Sequence, residues 1–149
     1  MKTHDVVLLG GDALAVMAFV IAGQAFHNTL AADNAAVRAV AQMLAIGAPF
    51  LLLARLLSAY PSQAPATWRD AGELLLRSAL ALAFAAPASL FIRAWLLGQP
   101  AVLMAFVVPA LAFSAVFVLG WRAAFAAASI LASRRQHLKQ QPARPYQRM

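Results

Sequence analysis

The chain has 149 residues, of which 63% are hydrophobic and 11% charged, and its formal net charge is +7. Soluble domains carry about 25% charged and roughly 45–50% apolar residues, so both departures, with a mean hydropathy of +0.73, point to lipid as the solvent. No cysteine is present, which excludes disulfides, thiolate metal sites and thiol nucleophiles.

A helix that crosses the roughly 30 Å hydrocarbon core needs about 20 apolar residues. The first such run is Val6 to Phe26, broken by Asp12 and Gln24. Lys2 and the small residues around Gly23 also fit a cleavable signal peptide, but an internal Asp and the length of the run fit a retained span better. The polar stretch from Asn28 to Asn34 then reads as a loop, with Asp33 or Asn34 able to cap the second helix. The second run is 37–59, with Arg38 and Arg55 near its ends. Pro61 and Pro65 break the chain after it, and Thr67 followed by Asp70 resembles a capping box with Asp in place of Glu. The third run is 74–97, with Arg77 and Arg93 near its ends, where arginines snorkel to headgroups. Gly98 suits a helix C-terminus and Pro100 the start of the next helix. The fourth run is 101–121.

The expected architecture is therefore an all-α, four-transmembrane-helix bundle over residues 1–132. A basic, disordered cytoplasmic tail over 133–149 follows, because almost no apolar residue remains there to bury. The basic residues flank apolar runs, a membrane pattern, rather than forming the patch of a nucleic-acid reader. With the N-terminus inside, Lys2, Arg55, Arg69, Arg77, Arg122, Arg134, Arg135, Lys139, Arg144 and Arg148 fall on the cytoplasmic side, against Arg38 and Arg93 outside. That bias predicts a cell (inner) membrane protein with both termini cytoplasmic. Trp68, Tyr60 and Trp121 then occupy the inner interface and Trp95 the outer one. The tail is expected to meet anionic headgroups.

Asp12 is the most informative position. A carboxylate at mid-helix costs about 2.5–3.5 kcal/mol on insertion scales, so it should face protein. Arg55, Arg77 and Arg122 reach a similar depth, and pairing with at least one of them is expected. A structural ion pair is favoured over a proton or ion relay, because a relay needs further ionisable groups along the span. His27 lies about 22 Å from Asp12 along the first helix, so the two cannot touch there. Gln24, Gln42 and Arg93 are its candidate neighbours. A metal or heme at His27 would need a second ligand, which a second copy of the chain could supply. Asp12, Phe19, Gly23 and His27 share one stripe of the first helix, with Gly23 expected to let another helix approach. Pro49, Pro87 and Pro109 fall near mid-span and invite kinks, which could line a cavity as broken helices do in transporters. No catalytic set, phosphate loop or zinc motif is present, so no catalytic, cofactor or metal residue is assigned.

Gly11-Asp12, Phe19, Gly23 and His27 in the first run, Ala48-Pro49-Phe50-Leu51 in the second, Arg93-Ala94-Trp95 in the third and Leu119-Gly120-Trp121-Arg122 in the fourth form a pattern. In it the chain resembles domain-of-unknown-function family 3054, small membrane proteins of bacteria and archaea, over roughly residues 6–125. The resemblance implies an architecture and a set of marked positions, not an activity. The expected function is a non-enzymatic accessory or packing subunit, of a larger complex or of a homo-oligomer. The alternative is a small oligomeric transporter or channel with Asp12 and His27 as its polar sites.

Overall fold

The computed structural model of the chain describes residues 2–31, 33–96, 98 and 107–140. They form four α-helices: α1 (Thr3–Phe26), α2 (Ala35–Leu56), α3 (Trp68–Leu96) and α4 (Val107–Gln140). All four are long and apolar enough to cross a membrane. At 1.5 Å per residue even the shortest, α2, is about 33 Å long.

The turns explain where the helices stop. At the end of α1, Asn28 takes a left-handed conformation (φ 55°). The Thr29 amide then donates to the Gln24 carbonyl (2.9 Å) and the Asn28 amide to that of Ala25 (3.1 Å), the paired bonds of a Schellman motif. Ser58 (φ 53°) repeats the device after α2, with Ala59 N–H on the Ala54 carbonyl (2.7 Å) and Ser58 N–H on that of Arg55 (3.1 Å). α2 therefore ends at Leu56, short of the expected Ala59. Asn34 occupies the N-cap of α2 but makes no side-chain cap bond. The Thr67–Asp70 box does form. Thr67 Oγ1 accepts from the Asp70 amide (3.2 Å), and Asp70 Oδ2 accepts from the Thr67 (2.9 Å) and Ala66 (3.1 Å) amides. It starts α3 at Trp68, a full turn and more before Leu74. Gly98 is left-handed (φ 61°), as the C-terminal position it was expected to fill requires.

α4 corrects the expected tail boundary. The helix runs through Gln140, because Arg, Gln, Leu and Lys dominate this segment and propagate a helix well without burial. The rest of the tail, 141–149, and the residues 97, 99–100 and 101–106 around the expected third break and fourth start lie outside the described residues. Pro109, expected at mid-span, is the third described residue of α4, and what precedes Val107 lies outside the described residues.

The helices form a ring in which each packs against its sequence neighbours and α4 closes onto α1. The inside is built of small residues. Ala15, Ala54, Ala59, Ala81 and Ala85 surround Phe50, Leu82 and Val118, and a second cluster of Leu8, Ala71, Leu74, Phe125, Ala126 and Ile130 lies nearer the termini. Large apolar side chains also cover the outside. Leu14, Leu52, Phe84, Phe91 and Val116 are each between 61% and 69% exposed, while Asp12, Ser78 and Arg122 are buried. Such a distribution fits lipid as solvent. Lipid gives helices no hydrophobic reason to associate, so close packing and polar contacts must hold them together.

Candidate functional site: a buried carboxylate–guanidinium clasp

Asp12 projects from α1 toward α4 and meets Arg122. Of the three arginines at its depth, only Arg122 pairs with it. The pair is bidentate: Arg122 Nε donates to Asp12 Oδ1 (2.9 Å) and Nη2 to Oδ2 (2.6 Å). Both side chains are sealed, at 0% exposure for Arg122 and 2% for Asp12. Parallel N–H···O bonds of this kind are the strongest pairing the two groups can make.

Further hydrogen bonds come from α3 and from the segment after α2. Arg122 Nη1 donates to the Ala59 carbonyl (2.8 Å) and to Ser78 Oγ on α3 (2.8 Å). The Ser78 hydroxyl in turn donates to the Leu74 carbonyl. Tyr60 donates its hydroxyl to Asp12 Oδ2 (2.6 Å). The guanidinium also lies over the rings of Tyr60 (4.8 Å) and Phe50 (5.2 Å), which favours a cation. One side chain thus ties together α1, α3, α4 and the segment after α2. The Schellman turn at Ser58 makes this possible, since it frees the Ala59 carbonyl and brings Tyr60 over the end of the bundle. Tyr60 titrates well above its ordinary value near 10. Burial desolvates its phenolate, and the neighbouring Asp12 carboxylate opposes a second negative charge.

Glycine matters next to the carboxylate. A Cβ on Gly11 would stand 1.8 Å from Trp121 Cε2, so α1 and α4 can close at Asp12 only because residue 11 has no side chain. Trp121 is itself fixed, donating its indole N–H to the Leu8 carbonyl (3.4 Å) and packing on Phe125 at 6.2 Å between ring centroids. Gly23, where the close approach was expected, has nothing within 4 Å of an added Cβ. Farther along the same two helices, Phe19 meets Phe117 edge-on at 6.3 Å.

The other sequence candidates do not join the clasp. Arg77 donates to the Ser58 carbonyl (3.2 Å) and pairs with Glu73 (3.6 Å). Arg55 stacks on the outer side of Tyr60, 5.7 Å from the ring centroid. His27 is exposed at the far end of α1 against Phe26, and Arg93 is at the far end of α3. Pro49 is buried in α2, whereas Pro87 and Pro109 face outward. Two cavities flank the clasp, and none of the three prolines lines either. One, of about 480 Å³, opens beside Lys2, Asp5, Leu9, Arg55, Tyr60, Pro61 and Ser62 and stops at Tyr60. The other, of about 570 Å³, is an apolar groove between α1 and α4 along Val6, Gly10, Gly11, Leu14, Phe117 and Trp121. Among the described residues, no group of three or more His, Asp or Glu side chains could hold a metal ion.

Sequence reasoning missed Tyr60, Ser78 and Gly11 as parts of the site. Tyr60 reads as an interfacial aromatic, Ser78 as one small residue among many, and Gly11 differs from Gly10 and Gly23 only by its neighbours in space.

Four apolar spanning helices around one buried, hydrogen-bonded ion pair define an α-helical, multi-pass integral membrane protein. The family model described as "Protein of unknown function (DUF3054)" matches residues 9–125. The chain belongs to that family, and the match takes in Asp12, Tyr60, Ser78 and Arg122. No curated protein and no solved structure matches the chain significantly.

Proposed function

We propose that the protein is a non-enzymatic accessory subunit that packs sideways against another transmembrane helix, a partner's or that of a second copy. The observation that supports this reading is the burial of the clasp and the number of hydrogen bonds that hold it. Asp12 and Arg122 spend their hydrogen-bonding capacity on Tyr60, Ser78, Ala59 and each other, which suits a lock better than a carrier. The groove between α1 and α4 supplies a lateral surface. A Cβ at Gly10 would meet nothing within 4 Å, and small residues let a neighbouring backbone come close. The charge bias supports an inner-membrane location with both termini cytoplasmic, where Arg134 and Arg135 attract anionic headgroups at about 1 kcal/mol each.

Extraction from native membranes in mild detergent tests the reading. A stable complex, with a second copy or another membrane protein, is expected, and Gly10→Leu should disperse it. A lone chain under the mildest extraction would sink the proposal. A Thr29→Cys variant reports orientation, since an impermeant thiol reagent should label it without lysis. The vestibule that stops at Tyr60 favours one second reading, a small transporter that opens at Tyr60 to reach Asp12. Ion flux in vesicles that Asp12→Asn abolishes would put that reading in place of the first.

A further inference from the structure

The loop end of the bundle carries an arginine, Arg38, that no ion pair balances among the described residues. Arg38 enters near the start of α2 and is only partly exposed. Its Nε is buried and has no hydrogen-bond partner. No ion pair involves its guanidinium among the described residues. Arg93, near the end of α3, is close enough for the two like charges to oppose each other. The helix register agrees. Arg77 bonds to the Ser58 carbonyl at the opposite end, and counting along the antiparallel α2 and α3 from that bond leaves Arg38 and Arg93 about 6 Å apart in height. Gln42 stands one turn from Arg38 on α2, at the level of Arg93, and places a polar amide there.

Four of the chain's five carboxylates are engaged elsewhere. Asp5 accepts from the Lys2 amide and meets His4. Asp12 holds Arg122. Asp70 caps α3, and Glu73 meets Arg69 and Arg77. Asp33, the one acid near this end, is exposed and forms no ion pair among the described residues. Residues 94–108, which follow Arg93 and lead into α4, contain no Asp or Glu. Among the described residues, therefore, none supplies an acceptor for the buried Arg38 Nε. A buried guanidinium N–H without an acceptor is a standing cost to the fold, and a bound ion is one of the few things that relieves it.

We propose that Arg38, with Arg93 beside it, forms a binding site for a phosphate group at the loop end of the bundle. Arginine presents Nε and Nη2 as a planar fork that fits two phosphate oxygens, and it is more weakly hydrated than lysine. Arg38 lies one turn inside the start of α2, the depth at which a spanning helix meets lipid phosphates. A phospholipid headgroup and free inorganic phosphate share this chemistry.

The test uses the full-length protein in dodecyl maltoside, a detergent without phosphate. Thermal unfolding is followed while inorganic phosphate, or phosphatidylglycerol in mixed micelles, is added, with sodium chloride matching the ionic strength. Retained lipid is counted by native mass spectrometry. At least one ligand should raise the midpoint of the wild type and saturate at one equivalent. A response to phosphatidylglycerol alone assigns the site to lipid, and a response to both, or to phosphate alone, assigns it to the free anion. Arg38→Gln should weaken that binding tenfold or more. Without ligand its midpoint should equal or exceed that of the wild type, because the orphan donor and the like-charge contact are gone. Arg38→Lys, which keeps the charge and loses the fork, should fall between. Arg69→Gln, at an exposed arginine of the opposite end, should bind as the wild type does. The proposal is overturned if neither ligand acts beyond the chloride control, or if Arg38→Gln binds as tightly as the wild type. An Arg38→Gln protein that is less stable without ligand would equally overturn it, since Arg38 would then be a structural group.

Discussion

The two ends of this bundle treat arginine in opposite ways. At the end bearing the termini, Arg122 is wholly enclosed, yet a carboxylate, a serine hydroxyl, a backbone carbonyl and two aromatic rings answer it. At the loop end, Arg38 is less buried, yet its Nε has no acceptor and its neighbour is another arginine. Burial alone therefore does not tell a lock from a binding site. The difference is whether the fold completes the hydrogen bonds of the charge it buries. A completed set rigidifies, and an incomplete one keeps a place for something else. The closed end also holds the tight α1–α4 contact at Gly11, while near the loop end Gly23 leaves α1 unencumbered.

The sharpest way to break this contrast is to remove one half of the lock. Arg122→Met leaves Asp12 buried without its cation, and such truncations cost about 3–5 kcal/mol. Asp12→Leu should cost a similar amount by stranding the guanidinium. The double variant should recover most of the loss, because an apolar pair of similar volume is often neutral or better than a buried ion pair. Unfolding in detergent, followed by circular dichroism or by protection of the half-buried Trp121, measures all three. Additive losses in the double variant would mean that the pair is not coupled and that the clasp is not the lock.

A smaller effect tests the contact that brings the pair together. Gly11→Ala places a methyl group inside the ring of Trp121, and overpacking of this kind costs about 1–3 kcal/mol. Trp121 has little freedom to yield, since Leu8 and Phe125 hold it. Trp121→Leu should be mildly destabilising alone and should suppress the defect of Gly11→Ala. The same alanine at Gly23 should be silent or slightly stabilising, because a Cβ there meets nothing and helix propensity favours Ala. If the two glycines respond alike, the closure of α1 on α4 is not local to the clasp.

How much of this was legible beforehand differs from residue to residue. Four spans and a buried, arginine-paired Asp12 follow from hydropathy and from the cost of a charge in lipid. The choice of Arg122 over Arg55 and Arg77 does not, because the three share a depth and differ in azimuth and in which helix adjoins α1. The ring keeps α3, and so Arg77, away from α1, while azimuth separates Arg122 from Arg55, and both are tertiary facts. Tyr60 was hidden for another reason. It lies in the turn after α2, and only the left-handed Ser58 swings it over Asp12. Helix ends were misjudged where hydropathy stood in for capping: α2 stops early at its Schellman turn, and α4 runs past its apolar stretch because exposed Arg, Gln and Lys are good helix formers.

The smallest expected effect concerns Tyr60, the lid of the closed end. Tyr60→Phe removes one hydrogen bond to Asp12 Oδ2 while Arg122 keeps hold of both carboxylate oxygens. The loss should be about 1.5 kcal/mol, the low end for a bond to a charged group. Its signature is the pH dependence. Burial and the Asp12 charge raise the folded-state pKa of Tyr60 above its ordinary value near 10. Above that pH the unfolded chain gives up this proton and the folded chain still holds it. By linkage, stability falls as pH rises wherever the folded state binds more protons. The contribution is therefore fully present below pH 10 and declines above it, toward the raised folded-state pKa. Wild type should lose stability along this alkaline limb and Tyr60→Phe should lose less, so that the two unfolding curves approach one another as the pH climbs past 10. Parallel curves would show that the Tyr60 proton is not held by Asp12, and the lid would then belong to the vestibule rather than to the lock.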